Sequence, residues 1–169
     1  MQIINKLSCS KQYYILCYYK GKQIMITIAQ LLNNKDDQIW SVEPKTSIFE
    51  ALIIMSDKEI GALLVIEDQK LVGIFSERDY ARKVILKGKS SKNTLVGELM
   101  TKKVFYIDPE KTINDCMAIM TKKHIRHLPV IENDKVIGIV TIGDVVNQII
   151  SEQEFTIHHL ENYIMGTHR

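Results

Sequence analysis

Two short runs carry the side chains best suited to holding a polar ligand, Ser76-Glu77-Arg78-Asp79 and Thr141-Ile142-Gly143-Asp144. In each, a hydroxyl residue stands three positions before an aspartate, where an apolar run gives way to a predicted helix. One reading is structural: Ser76 and Thr141 cap their helices, and Asp79 and Asp144 return a hydrogen bond to the capping backbone. The other is functional. A carboxylate in a first helical turn can accept hydrogen bonds from both hydroxyls of a ribose, as an acidic residue does in dinucleotide folds. The two readings are compatible, because the hydroxyls can cap in either case.

The neighbouring cations favour an anionic ligand. Arg78 falls in the first turn, where a positive charge opposes the helix dipole by roughly 0.3–1 kcal/mol. Arg82 follows one turn later and Lys83 adds a third positive charge. An anion at the helix start would explain so unfavourable a local choice; the alternative is that Glu77 and Asp79 neutralise the arginines on a solvated face. Arg126 is a second candidate, able to hold a phosphate through two parallel hydrogen bonds. His127, beside it at a strand start, reads either as a phosphate contact or as a satisfied structural histidine.

Other motifs dissolve on inspection. Gly88-Lys89-Ser90 resembles the end of a phosphate loop, but position 83 is Lys where that loop needs Gly. His158-His159 lacks partners at metal-ligand spacing, and no nucleophile–base arrangement is visible. Met100, Met117 and Met120 read as core. Neither a catalytic group nor a metal site is expected.

The elements that must position these residues occur twice. Residues 38–85 shifted by 65 fall on 103–150 without a gap, pairing Pro44 with Pro109, Met55 with Met120 and Asp79 with Asp144. One uninterrupted offset means two copies of a folding unit that pack on each other. Each copy reads as strand (Ile39–Val42, Val104–Ile107), capped helix (Ser47…Glu50, Thr112…Asp115), two hairpin strands (63–66 and 71–75; 128–131 and 136–140) and a second helix. A lead-in precedes each, Ile28–Leu32 and Leu95–Met100, with three extra residues in copy one around Asp36-Asp37-Gln38. The copies differ at the candidate site: Gly143 replaces Arg78, and Arg126-His127 replaces Gly61-Ala62. After copy two, Ser151-Glu152-Gln153-Glu154 reads as another capping box, opening a helix with Ile157, Leu160 and Ile164 on one stripe and Gly166 as its stop.

Charge and composition narrow the class. Residues 1–24 hold four lysines and no acid, and the remaining 145 residues hold 18 basic and 20 acidic groups. A body that is not basic argues against a broad nucleic-acid surface. No apolar run approaches the roughly 20 residues a membrane span needs. The first 24 residues, with four tyrosines and two of the three cysteines, differ in composition from the rest of the chain. They read as an extension or an over-long start before Met25, the alternative being an extra element docked on the core. Their apolar run is too short for a signal peptide. With no disulfide framework, a reducing cytoplasm is expected.

Two units of this order, each ending in Gly-Ile-x-Ser/Thr-x-x-Asp, resemble the tandem cystathionine-β-synthase (CBS) domain pair. The resemblance rests on GIFSERDYARKV at 73–84, HIRHLPVI at 124–131 and GIVTIGDVV at 138–146, and covers residues 25–166. It implies an α+β fold of two β-α-β-β-α repeats packed as a pseudo-two-fold disc, with domains at 25–87 and 95–150, a linker at 88–94 and a C-terminal helix at 151–166. It further implies a stand-alone regulatory protein that is not an enzyme. AMP, ADP, ATP or NAD would bind between the repeats. Asp79, Asp144, Ser76 and Thr141 would hold riboses, and Arg78, Arg126, His127, Arg82 and Lys83 would hold phosphates. Val42, Leu63, Ile107 and Leu128 would line the adenine slots. A homodimer, joined through the helices, and a protein partner that reads the ligand are expected. The alternative is a dimerisation or interaction module whose clefts bind nothing.

Overall fold

The computed structural model describes residues 26–33, 35 and 39–165, without the side chains of His159 and Tyr163. The expectations for residues 1–24 and for Gly166 lie outside the described residues. The order is α1 (Ile28–Leu32), β1 (Ser41–Val42), α2 (Ile48–Asp57), β2 (Ala62–Glu67), β3 (Lys70–Ser76), α3 (Glu77–Asp79), α4 (Val96–Leu99), α5 (Ile113–Lys123), β4 (His127–Glu132), β5 (Lys135–Thr141) and α6 (Ile142–Ile164).

The two hairpins are copies in detail. Ala62 pairs with Ser76 and Glu67 with Lys70; His127 pairs with Thr141 and Glu132 with Lys135. Each register slips once, at Val65/Ile66 and at Val130/Ile131. The turns are two-residue loops with both residues at positive φ, Asp68-Gln69 and Asn133-Asp134, the geometry that matches strand twist. Outer strands are shorter than predicted. Repeat one keeps only Ser41–Val42, parallel to β2, and repeat two keeps a single bridge, Ile107 to Val130.

Both first helices carry the predicted capping boxes, Ser47 with Glu50 and Thr112 with Asp115. Their buried faces are Ile48, Ala51, Met55 and Ile113, Cys116, Met120. Met117, expected in the core, is 38% exposed instead, because the i, i+3, i+7 stripe puts Cys116 inside and leaves position 117 on the shoulder. Burial pushes the Cys116 thiol up to about 11, with the Asp144 carboxylate adding to the shift.

The lead-ins are exchanged between repeats. The segment at α1 bonds to repeat two, Ile28 N–H to the Lys111 carbonyl and Ile113 N–H to the Ile26 carbonyl. The segment at α4 bonds to repeat one, Val96 N–H to the Thr46 carbonyl and Ile48 N–H to the Thr94 carbonyl. Each core therefore contains the other's lead-in. Ile26, Ile28, Leu31 and Leu32 pack with Ile113, Leu128 and Val140, while Val96 and Leu99 pack with Ile48, Leu63 and Phe75. Gly138 and Gly73 make room for this, because a Cβ there would stand 2.8 Å from Leu32 Cδ1 and would collide with Met100 Sδ.

The second helices correct two expectations. In repeat one α3 is a single turn, continued by a wide turn at Tyr80–Val84 and a tight one at Ile85–Lys87 that ends on left-handed Gly88. In repeat two the predicted boundary at Ser151 does not exist. One helix, α6, runs through it for 23 residues, since 151–154 holds no glycine or proline to stop a helix already under way.

Candidate functional site

Both hydroxyl–aspartate pairs form capping boxes. Asp79 Oδ2 accepts from Ser76 N–H at 3.1 Å and Ser76 Oγ at 2.8 Å. Asp144 Oδ2 accepts from Thr141 N–H at 2.7 Å and Thr141 Oγ1 at 2.9 Å. The structural reading of these residues therefore holds. It does not exhaust them, since each carboxylate also takes a lysine: Lys83 on Asp79 Oδ1 at 2.7 Å and Lys35 on Asp144 Oδ2 at 2.6 Å.

The two helix starts border one cleft of about 700 Å³ between the repeats. Its walls bring together Ser76, Arg78 and Asp79 from repeat one with Arg126, His127, Thr141 and Gly143 from repeat two. Arg78 reaches across, its Nη1 donating to the His124 carbonyl at 2.9 Å. His124 is the left-handed cap of α5, at φ 54°. No reciprocal arginine exists, because Gly143 stands at the equivalent place.

Four expectations fail. Asp144 is not among the wall residues, although Thr141, Ile142 and Gly143 beside it are. Val42, Leu63, Ile107 and Leu128 do not line the cleft; Leu63 and Leu128 are 0% exposed and all four sit in the repeat cores. Strand alternation explains this, since Leu63 and Leu128 point away from the cleft when Ala62 and His127 point into it. The apolar wall is built instead from Ile60, Ala62 and Ile74 in repeat one and Ile125 and Ile139 in repeat two. Lys83 is absent from the wall and is held by Asp79, the Leu99 carbonyl and Thr101 Oγ1. Arg82 is exposed and also outside it.

Comparison with known proteins gives this arrangement its family. The model of the CBS domain matches residues 29–85 and again 96–151. The chain belongs to the CBS-domain family. A mitochondrial CBS domain-containing protein of Arabidopsis thaliana, CBSX3, is 38% identical over 150 residues, covering 83% of this chain and 72% of that protein. The CBS domain-containing protein YhcV of Bacillus subtilis is 32% identical over 116 residues, 68% of this chain and 82% of that protein. A solved CBS-domain structure from Burkholderia ambifaria superposes with a TM-score of 0.74 at 44% identity, covering 76% of this chain and 96% of that one.

In this CBS pair several cleft residues lay outside the sequence reading. Trp40 and Thr101 are wall residues, and so is Lys35. Trp40 had a visible signal: at the offset of 65 it meets Phe105, and Lys58 and Lys123, also 65 apart, lie 4.4 and 4.5 Å from the two ring centroids. His127 is held below its ordinary value by burial and then by Arg126, with Glu77 opposing. A Cβ on Gly61 would lie 3.4 Å from both Glu77 Oε2 and His127 Nε2, so these two side chains flank the same point of the cleft.

Proposed function

We propose that this chain is a regulatory module that binds an adenine nucleotide, AMP, ADP or ATP, or a dinucleotide such as NAD, in the inter-repeat cleft and performs no chemistry on it. The observation that carries the reading is the pair of equivalent capped helix starts that border one cleft, with Asp79 in its wall and Asp144 just behind the Thr141–Gly143 stretch of wall. Each carboxylate has the acceptor chemistry for ribose hydroxyls. Ser76 and Thr141 hold the two in place, and Arg78, Arg126 and His127 supply donors for phosphates. The apolar wall at Ile60, Ile74, Ile125 and Ile139 suits the faces of a base. Lys83 and Arg82 act only through Asp79 and the local field. The ligand signal passes to a protein partner or through subunit geometry. A cytoplasmic location belongs to the same reading, with Cys116 a buried free thiol.

Thermal melts with AMP, ADP, ATP and NAD test this directly. A ligand at 100 times its dissociation constant should add about 2.7 kcal/mol. Changing Asp79→Asn and Asp144→Asn together should remove that gain while preserving a cap acceptor at each helix. Unchanged affinity in the double variant overturns the ribose assignment.

A second reading, an interaction module with unused clefts, is favoured by the apolar stripe on α6. Ile150, Ile157, Leu160 and Ile164 are all exposed there. Under that reading no nucleotide shifts the melt.

A further inference from the structure

The two halves of the cleft are finished by different chemistry. In repeat one the strand edge beside Asp79 is closed by backbone. Thr101 N–H donates to the Ile74 carbonyl at 2.8 Å, the Thr101 carbonyl accepts from Ile74 N–H at 3.1 Å, and Thr101 Oγ1 stands 3.4 Å from Asp79 Oδ1. The equivalent positions in repeat two are Ile139 and Asp144. There the chain arrives through the first lead-in, which has three more residues than the second. Among the described residues a side chain stands there instead: Lys35 Nζ donates to the Ile139 carbonyl at 3.2 Å and to Asp144 Oδ2 at 2.6 Å. Both Thr101 and Lys35 face the cleft. One half thus presents a hydroxyl and the other an ammonium.

The hydrogen-bond inventory separates the two lysines. An ammonium has three protons to donate. Lys83 places its three on Asp79 Oδ1, the Leu99 carbonyl and Thr101 Oγ1, and it stands outside the cleft wall. Lys35 places two, and it stands in the wall. On Asp144, Oδ2 carries Thr141 and Lys35, while Oδ1 takes no hydrogen bond from the described residues. Asp144 is not itself a wall residue, but its side chain is 22% exposed and Thr141, Ile142, Gly143 and Lys35 around it are in the wall. A group seated against them meets an ammonium that calls for an acceptor and can reach a carboxylate oxygen that calls for a donor. A sugar bearing both a free hydroxyl and a phosphate satisfies the two together. An unphosphorylated sugar offers the ammonium only a neutral hydroxyl acceptor, whereas a phosphate offers a charged one.

We propose that Lys35 is the specificity-determining residue of the Asp144 half, making it select phosphorylated ribose over the bare sugar. This rests on the nucleotide reading above, and the test separates the two. Calorimetry in an Asp79→Asn background, so that the Asp144 half reports, would compare AMP with adenosine for Lys35, Lys35→Arg, Lys35→Gln and Lys35→Met. The expected result is a loss of at least tenfold in the AMP-over-adenosine ratio for Met and Gln, arising in AMP affinity, with Arg keeping most of the ratio. Gln retains a donor for the Ile139 carbonyl, so it still reports if the Met variant does not fold. Equal shifts for both ligands, or tighter AMP binding on losing the charge, would overturn the proposal and leave Lys35 as a strut or a plug. Melts with inorganic pyrophosphate alone supply the separate arm. If nucleosides and nucleotides fail to bind but pyrophosphate stabilises the parent and not the neutral variants, the adenosine reading falls and the anion selectivity stands. If pyrophosphate acts equally on all variants, or on none, and nucleotides do not bind, both fall.

Discussion

Arg78 of the first repeat is tied to the backbone carbonyl of His124 in the second, at 2.9 Å across the cleft. The link is one-sided, since the position equivalent to Arg78 is Gly143 and the position equivalent to His124 is Glu59. In the nucleotide reading, a phosphate competes for this guanidinium with a neutral carbonyl, and it offers an opposite charge and two oxygens for paired hydrogen bonds where the carbonyl offers one neutral oxygen. Binding in that reading should exchange an inter-repeat contact for a ligand contact.

Arg78→Ala should weaken AMP binding by at least tenfold and lower the ligand-free stability by only about 1 kcal/mol, the net worth of one hydrogen bond. Calorimetry and a denaturant melt on the same variant measure both. AMP affinity equal to that of the parent would remove Arg78 from the phosphate site.

The exchanged lead-ins give a packing prediction. Gly73→Ala drives a methyl group into Met100 and should cost about 1–3 kcal/mol, the usual range for overpacking. Met100→Ala empties the same space from the other side. In the double variant the two costs should fall short of additive, as expected for residues in contact. Additive losses in urea melts would mean that the second lead-in does not pack on repeat one.

The repeat makes much of this fold legible in the sequence. Four predicted capping boxes, at Ser47, Ser76, Thr112 and Thr141, form as read, because a cap is decided by residues three apart. The three-residue insertion was also visible, and its consequence was not. Which lead-in docks on which repeat depends on contacts between segments about 85 residues apart, such as Ile28 with Lys111, and no local pattern reports them. The adenine-slot assignment failed for a related reason. Leu63 and Leu128 are apolar and beside the site, but period-two alternation sends them into the cores. Lys35 carries no repeat signal, because it lies outside the stretch that aligns at the offset of 65 and meets Asp144 only through the exchange.

His127 should make stability fall on mild acidification. Its folded value is held below 6.5 by burial and Arg126, so between that depressed value and the unfolded one the unfolded chain binds more protons. Stability then rises with pH through this window and falls as pH is lowered through it. His127→Gln should flatten the pH dependence of a urea midpoint over this range while leaving the value at pH 8 little changed. An identical slope in the variant would assign the effect elsewhere. In the nucleotide reading, a bound phosphate should oppose the depression and produce proton uptake on binding, visible as a buffer-dependent heat.

The last prediction is a homodimer. Helix α6 carries apolar side chains on one stripe beyond the body of repeat two, with Leu160 48% and Ile164 81% exposed. Phe49 and Ile53 on α2 and Ile85 and Leu86 after α3 add exposed apolar surface in repeat one. Scattered exposed apolar residues are ordinary, but a stripe sustained over several turns of one helix marks a contact surface. A self-complementary two-fold contact is the commonest way to cover such a stripe, and a stable one buries more than roughly 1,000 Å². Light scattering at micromolar concentration should therefore give about twice the chain mass of 19.5 kDa. Leu160→Asp with Ile164→Asp should shift the mass toward the monomer while a urea melt at high protein dilution stays close to that of the parent, since neither side chain is buried in the single chain. A parent mass near that of one chain defeats the dimer. A dimer that survives both substitutions moves the interface away from the end of α6.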